Sequence, residues 1–339
     1  MSFSRLLIAI VLILLSTAAV GGWIAVRWLE HYRTTPLSGY SDPVVFAVER
    51  GDSLARVARE LTKRDILPHE RPFRLIARWQ GVAGAIKAGE YQIQPAITPQ
   101  ALLDQLVRGE VLQHRLTLVE GWSFRDVMVA ISTHDALTHD LKNSTEQEIM
   151  AAIGRPGEHP EGRFFPDTYA FARGTSDITV LKQAYAAMER QLAAAWAERQ
   201  PDLPLKTPYE ALILASIVEK ETGLPDERSQ IAGVFVRRLR LGMRLQTDPT
   251  VIYGLGSRFD GNLTRAHLRE KTDYNTYRIS GLPPTPIALP GRASLVATVQ
   301  PASGDSLFFV ARGDGGHVFS ATLKEHEQAV RCYQLGRCK

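Results

Sequence analysis

The segment Ala211-Leu-Ile-Leu-Ala-Ser-Ile-Val-Glu-Lys-Glu-Thr222 is apolar along most of its length and ends in two carboxylates. Residues 211–218 carry no charge and run directly into Glu219. Because a helix that is apolar all round is usually buried, this segment predicts a core helix with at least one glutamate at the edge of the core. Burial favours a protonated carboxyl group near neutral pH, which is the state that a general acid needs.

The residues that flank this segment mark the two ends of the helix. Thr207-Pro-Tyr-Glu210 precedes it as a capping box with proline at the first helical position, and Gly223 and Pro225 follow it. Glu219 and Glu221 could instead be solvated residues of a fraying last turn. Each of the two glutamates lies on an apolar face of the helix, so the spacing of the apolar residues does not show which one is the acid. The helix therefore predicts a site without identifying its acid.

The composition of the chain limits its class. The 339 residues, 45% of them hydrophobic, are enough for two or three domains. The formal net charge is +4, and the sequence has no run of five or more basic residues, so nucleic-acid binding is not indicated. A mildly positive net charge is also compatible with binding to an anionic polymer outside the cytoplasm.

The two cysteines, Cys332 and Cys338, lie in the last eight residues. A zinc site would need more ligands than this pair and the nearby His326. A small disulfide loop in an oxidising compartment is the better prediction if the chain leaves the cytoplasm. We therefore expect no metal site.

The N-terminal segment predicts a membrane anchor within residues 1–30. The run from Leu6 to Val26 is uncharged, and Trp23 and Trp28 lie at its outer end, where an aromatic belt is expected. At about 1.5 Å per helical residue, this run spans a bilayer. A cleavable signal peptide is the alternative, because residues 18–22 could offer a cleavage site. The run is longer than the apolar core of roughly 7 to 15 residues that signal peptides have.

A small αβ unit is predicted over residues 43–95, after a polar connector at residues 31–42. Its order of strand, helix, helix and strand, with Val48-Glu-Arg-Gly-Asp-Ser-Leu54 at the first turn, resembles the LysM glycan-binding module. A packing domain without a ligand is the alternative. The predicted elements are residues 44–48, 54–63, 71–80 and 89–93.

A weaker repeat of this pattern follows. Leu116-Thr-Leu-Val-Glu-Gly-Trp-Ser-Phe124 again gives a strand, Val-Glu, a glycine turn, a serine and a helix. It predicts a second small αβ unit or connector over residues 96–155. The remaining units are a mixed α+β catalytic domain at residues 156–330 and a cysteine-bearing tail at residues 331–339, so the fold class is α+β.

Polar and aromatic motifs are densest in this last domain. Amides and hydroxyls bond to sugar hydroxyls, and aromatic faces cover the apolar side of sugar rings, so these loops suit a sugar site. Each loop taken alone is also explained by ordinary turn chemistry. The candidate substrate-binding residues are Glu161, Tyr169, Glu221, Gln246, Thr247, Asp248, Tyr274, Asn275, Thr276 and Tyr277.

Five motifs in order carry a resemblance to a known family. They are Glu161-Gly-Arg-Phe-Phe-Pro-Asp-Thr-Tyr169, Ser216-Ile-Val-Glu-Lys-Glu221, Arg244-Leu-Gln-Thr-Asp-Pro-Thr250, Tyr274-Asn-Thr-Tyr277 and Gly281-Leu-Pro-Pro284. Together with the anchor and the LysM-like unit, they closely resemble the endolytic murein transglycosylases, the YceG-like family. The resemblance implies that Glu219, the first glutamate of its motif, is the catalytic residue.

The resemblance also implies a function. We expect a single-pass protein of the bacterial inner membrane, with its bulk in the periplasm, that cuts within peptidoglycan strands between N-acetylmuramic acid and N-acetylglucosamine. The cut would leave 1,6-anhydro-N-acetylmuramic acid ends, terminate nascent strands and need no cofactor. Peptidoglycan synthases (penicillin-binding proteins) are the expected partners. The alternatives are a non-catalytic peptidoglycan-binding scaffold and a hydrolytic muramidase.

Overall fold

The computed structural model describes residues 3–337 and divides them into two compact units. The first unit extends to His114 and includes Ala172–Gly174, while the second comprises Arg115–Phe171 and the chain from Thr175 onward. Both helices and strands are present, so the predicted α+β class is confirmed.

Helix α1, Phe3–Thr34, contains the predicted apolar run. Its part from Ile10 to Thr34 is long and apolar enough to cross a membrane, and the most apolar window of that part is not buried in the protein, whereas Tyr32 near its end packs in the core of the first unit. The helix continues past Val26 into the region predicted as a connector, because residues 27–34 contain neither proline nor a further glycine to end it. A membrane anchor and a signal sequence both fit a helix of this kind.

The first unit has the predicted order of elements. Strands β1 (Val44–Val48) and β2 (Gly89–Ile93) pair antiparallel, with Phe46 opposite Tyr91, and both of these rings are buried. Helix α4 packs Leu102 and Leu106 into the same core, so this unit extends past the predicted boundary at residue 95. The elements are β1 Val44–Val48, α2 Leu54–Lys63, α3 Glu70–Trp79, β2 Gly89–Ile93 and α4 Pro99–Arg108.

The repeated turn pattern gives the same local structure in both places. Ser53 accepts the backbone N–H of Arg56 at the start of α2, at 3.3 Å. Ser123 accepts that of Asp126, at 3.4 Å, as part of a complete capping box. In each copy the serine therefore starts the helix by satisfying one of its free donors.

The second unit is mostly helical. The short strands from residue 113 onward form two-stranded sheets, in which β3 (Gln113–Thr117) pairs with β5 (Thr168–Ala172), β4 (Leu137–Thr138) with β6 (Thr175–Ser176) and β7 (Phe308–Ala311) with β8 (His317–Ser320). The elements are β3 Gln113–Thr117, α5 Phe124–Ser132, β4 Leu137–Thr138, α6 Glu146–Ala152, β5 Thr168–Ala172, β6 Thr175–Ser176, α7 Asp177–Ala197, α8 Pro208–Glu221, α9 Arg228–Arg240, α10 Asp248–Leu255, α11 Arg265–Arg269, α12 Arg292–Val299, β7 Phe308–Ala311, β8 His317–Ser320 and α13 Leu323–Tyr333.

One hydrophobic cluster joins the predicted connector to the predicted catalytic domain. It contains Phe124 and Ile131 from the former and Phe164, Val180 and Leu289 from the latter. Since these side chains share one core, the structure does not divide the chain at residue 155. The predicted boundary falls inside a single packed unit.

Helix α8 is the buried helix that the sequence predicts. All residues from Ala211 to Val218 are buried, and α7, α9, α10 and α12 pack around them. Thr207 accepts the N–H of Glu210 at 3.2 Å, whereas the carboxylate of Glu210 accepts the N–H of Lys206 rather than that of Thr207. The helix ends at Glu221, where the backbone becomes extended. Both candidate glutamates thus lie where the helix leaves the core.

The C-terminal cysteines are only partly described. Cys332 lies in the last turn of α13, and Cys338 lies outside the described residues. The Cys332–Cys338 bridge stays a prediction.

Candidate active site

The carboxylate of Glu219 is held at the edge of the core by a backbone donor. The side chain is 6% exposed, and its Oε2 accepts the N–H of Gly291 at 2.9 Å. Gly291 is the N-cap of α12, so this N–H stands at the positive end of that helix. The guanidinium Nη2 of Arg228 lies 3.9 Å from Oε1. A backbone donor and a cation therefore orient this carboxylate.

A second carboxyl group, that of Glu120, reaches the same glycine. A Cβ atom built on Gly291 would lie 1.8 Å from Oε1 of Glu120, so the carboxyl group lies directly against the glycine Cα. Burial raises the pKa of Glu120, the charge of Glu219 raises it further, and Arg228 opposes both. Glu120 lies in the repeated turn motif but is not among the site residues predicted from the sequence. The signal that could have found it is the repeated Val-Glu followed by a glycine turn, at residues 48–51 and 119–121.

The loop that carries this second carboxyl group is fixed by three hydrogen bonds. The N–H of Gly121 donates to the carbonyl of Leu289 at 2.8 Å, and the N–H of Leu289 donates to the carbonyl of Trp122 at 2.7 Å. Nζ of Lys220 donates to the carbonyl of Gly121 at 3.2 Å. The loop before α5 is thereby tied to the segment before α12 and to the end of α8.

Glu221 faces a different part of the unit. Two residues along a helix correspond to a rotation of about 200°, so Glu219 and Glu221 leave α8 in opposite directions. The hydroxyl of Thr247 donates to the Glu221 carboxylate. Burial raises the pKa of Glu221 to about 7, with a smaller contribution from the charge of Asp248. The structure thus contains two separate carboxyl environments at one helix end.

A cavity of about 450 Å³ opens beside Glu221. It brings together several of the candidate binding residues with the last elements of the chain. Its lining includes Glu221, Gln246, Thr247, Asp248 and Tyr277, together with Arg238, Phe308, His317 and His326.

Most polar groups of the candidate binding loops bond to one another. The hydroxyl of Tyr277 donates to Oδ1 of Asp248 at 2.6 Å, and the hydroxyl of Thr276 accepts the N–H of Thr247 at 3.0 Å. Asn275 donates to three backbone carbonyls, the shortest at 2.6 Å, and both Asn275 and Thr276 are 0% exposed. These two residues shape the loop from inside, and their contact with substrate stays a prediction.

Glu161 supports the start of α5. Its Oε1 accepts the N–H of Phe124 at 3.0 Å, and its Oε2 accepts the hydroxyl of Tyr253 at 3.1 Å. The side chain is buried, and burial raises its pKa to about 7. Because α5 follows the loop of Glu120, this contact helps to hold that loop.

The two remaining candidate tyrosines also have partners within the protein. The hydroxyl of Tyr169 donates to the carbonyl of Phe165 at 2.6 Å, and its ring is buried in the core. The hydroxyl of Tyr274 is 2.8 Å from that of Thr285, and its ring lies 4.9 Å from that of Tyr253. A substrate contact by either residue stays a prediction.

Glu161→Gln is expected to weaken the pH dependence of stability. The folded protein retains a proton up to a pKa of about 7, whereas the unfolded chain releases it near the ordinary value of 4.5. The protonated side chain therefore stabilises the folded wild type in full below pH 4.5. As the pH rises from there to about 7, the free energy of unfolding falls by on the order of 3 kcal/mol. Glutamine resembles the protonated form and does not titrate. Urea unfolding of the full chain in detergent at pH 5 and pH 8 measures the difference.

The exposed Glu198 provides the control for this experiment. Glu198→Gln should lose as much stability between the two pH values as the wild type does. An equal loss in Glu161→Gln would contradict the prediction.

Comparisons with known proteins cover most of the chain. The sequence model of the YceG-like family matches residues 46–332. The endolytic murein transglycosylase of Bacillus subtilis strain 168 is 30% identical over an alignment of 305 residues, which covers 84% of this chain and 83% of that protein. The endolytic murein transglycosylase of Streptococcus pneumoniae strain D39 is 25% identical over an alignment of 358 residues, which covers 94% of this chain and 63% of that protein. The crystal structure of a yceG-like protein from Listeria monocytogenes has 26% sequence identity and a TM-score of 0.53, covering 85% of this chain and 99% of that one.

Proposed function

The chain belongs to the YceG-like family, and on this premise we propose that it is an endolytic lytic transglycosylase of peptidoglycan. It cleaves the bond between N-acetylmuramic acid and N-acetylglucosamine within glycan strands and leaves 1,6-anhydro-N-acetylmuramic acid ends. The names of the Bacillus and Streptococcus relatives support murein as the substrate.

The placement of Glu219 is the observation that carries the proposal. The side chain is largely shielded from solvent at the end of a buried helix, and the Gly291 N–H fixes its Oε2. A carboxyl group with a defined orientation and little water around it meets the geometric requirement for a general acid. The second glutamate of the motif faces the other side of the helix and does not share these contacts.

The first chemical step is proton donation. The carboxylic acid of Glu219 protonates the glycosidic oxygen, and the bond from that oxygen to C1 of the muramic acid breaks. Positive charge develops at C1, as in other glycosidic cleavages. The N-acetyl group of the substrate can stabilise this centre.

The second step closes the anhydro ring. The C6 hydroxyl oxygen attacks C1, and the carboxylate of Glu219 takes the hydroxyl proton. The glutamate is then back in its acid form, and no water has been added to the product. Hydrolases use two carboxylates across the bond, whereas one group that acts in turn as acid and base is sufficient here.

The test is the chemistry of the new glycan end. We expect the full chain in detergent to convert purified glycan strands into fragments with anhydro ends, each one water lighter in the mass spectrum than a reducing end. Cleavage within strands gives fragments of many lengths from the start. Reducing ends would identify a hydrolase instead, and uncut strands would favour a glycan-binding scaffold.

The cellular setting follows from the same proposal. Helix α1 anchors the protein in the bacterial inner membrane, and the rest of the chain lies in the periplasm. There the enzyme terminates strands that peptidoglycan synthases are elongating.

The anchor is expected to remain attached to the mature protein. The apolar run is longer than a signal-peptide core, so the protein should stay in the membrane fraction and need detergent for extraction. Intact-mass measurement of the extracted protein should give a chain that begins at or near Met1. Recovery of a soluble form that begins near Gly21 or Gly22 would refute the anchor.

A further inference from the structure

Two carboxyl groups from distant parts of the sequence meet at one residue. Glu219 accepts the N–H of Gly291 at 2.9 Å, and Glu120 lies against the Cα atom of the same residue. The hydrogen bonds of the loop that carries Glu120 fix this arrangement. The fold therefore holds both carboxyl groups beside Gly291.

Glycine at position 291 makes room for the carboxyl group of Glu120 and is not required by the backbone conformation. Its φ of −75° and ψ of 171° are extended values that any residue adopts. A Cβ atom would instead occupy the position of the Glu120 carboxyl oxygen. The small residue thus leaves space for a second acid beside the first.

The cations nearby do not neutralise both acids. The guanidinium of Arg228 lies 3.9 Å from Glu219, beyond hydrogen-bond distance. Lys220 donates to the carbonyl of Gly121. Two adjacent carboxylates that share one cation repel each other, and one of them tends to keep a proton.

We propose that Glu120 is a positioning residue that acts through Glu219, the two carboxyl groups sharing one proton when a glycan strand covers them. This inference rests on the proposed function. The shared proton supplies Glu219 with the acid form that the first step consumes. The apparent titration then belongs to the pair rather than to one residue.

Substrate binding strengthens this coupling. Glu120 is exposed in the free protein, whereas the side chain of Glu219 is almost covered. A glycan strand over Glu120 removes the water that screens the repulsion between the two groups. The effect of Glu120 should therefore appear mainly in the pH profile of kcat, which reports the bound complex.

The experiment is the pH dependence of cleavage by Glu120→Gln. Glutamine keeps the size of the side chain but removes the charge, and with it the repulsion that helps to keep a proton on the pair. We expect the alkaline limb of the kcat profile to move down by about one pH unit, which is a loss of about tenfold on that limb. The value of kcat at low pH should be nearly that of the wild type. The assay uses the full chain in detergent and saturating purified glycan strands.

Two further variants separate charge from structure. Gly291→Ala keeps the amide that binds Glu219, and its Cβ displaces the flexible end of Glu120, so its alkaline limb should move in the same direction. Glu198→Gln removes a charge from an exposed site elsewhere and should leave the profile unchanged. Thermal melting checks that each variant is folded.

Two results would overturn the inference. An alkaline limb that does not move in Glu120→Gln, with the rate lowered equally at every pH, would show a merely structural role. Complete loss of cleavage at every pH would show that Glu120 transfers protons itself. Failure of the proposed function looks different, because the wild type would then leave the strands uncut or Glu219→Gln would remain active.

Discussion

Glu219→Gln is expected to abolish strand cleavage while leaving the fold intact. The amide is nearly isosteric with the carboxyl group and can still accept the N–H of Gly291. It can neither donate the acidic proton nor accept the proton of the C6 hydroxyl. General acid–base catalysis contributes about 10²- to 10⁴-fold, and the use of one group for both steps places the loss at the upper end. The measurement is the rate at which the full chain forms new glycan ends.

Glu221→Gln is the matched control, because it makes the same change two residues away on the opposite side of the helix. It removes a carboxylate that bonds to Thr247, and it should cost much less activity. Near-normal turnover of Glu219→Gln would disprove the assignment. A larger loss in Glu221→Gln would move the acid to the cavity beside that residue.

Phe235→Ala is expected to destabilise the second unit strongly. The ring of Phe235 is fully buried and packs edge to face against Phe309, with 5.8 Å between the ring centroids. Truncation leaves a cavity among the side chains that also surround α8, and such changes cost about 3 to 5 kcal/mol. Urea unfolding of the full chain in detergent should show this loss.

Leu241→Ala provides the control at the end of the same helix. Leu241 is 63% exposed, so its truncation removes few contacts. The free energy of unfolding should change by less than about 0.5 kcal/mol. A loss in Phe235→Ala as small as in this control would contradict the burial of Phe235 in the core.

The sequence by itself determined the elements whose signal is local. The uncharged stretch of α8 requires burial because no polar face is available for water. The apolar run of α1 and the alternation of strands and helices in the first unit follow from periodicity in the same way. Serines at the helix starts locate both copies of the repeated turn.

The tertiary structure alone decided how the two units divide the chain. Helix α4 adds its leucines to the first core, and Leu289 joins a cluster that begins with Leu116. Such contacts link residues that are far apart in sequence. Periodicity records that a face is apolar, but it does not record which other apolar face covers it.

The same distinction applies to the candidate site. The apolar helix predicts that a glutamate lies at the edge of the core, and the resemblance to the family motif predicts that the catalytic one is Glu219. Its neighbours come from three other segments, through Glu120, Arg228 and Gly291. Because the charge around an acid depends on which segments the fold packs against it, only the tertiary structure could bring the second carboxyl group to the first.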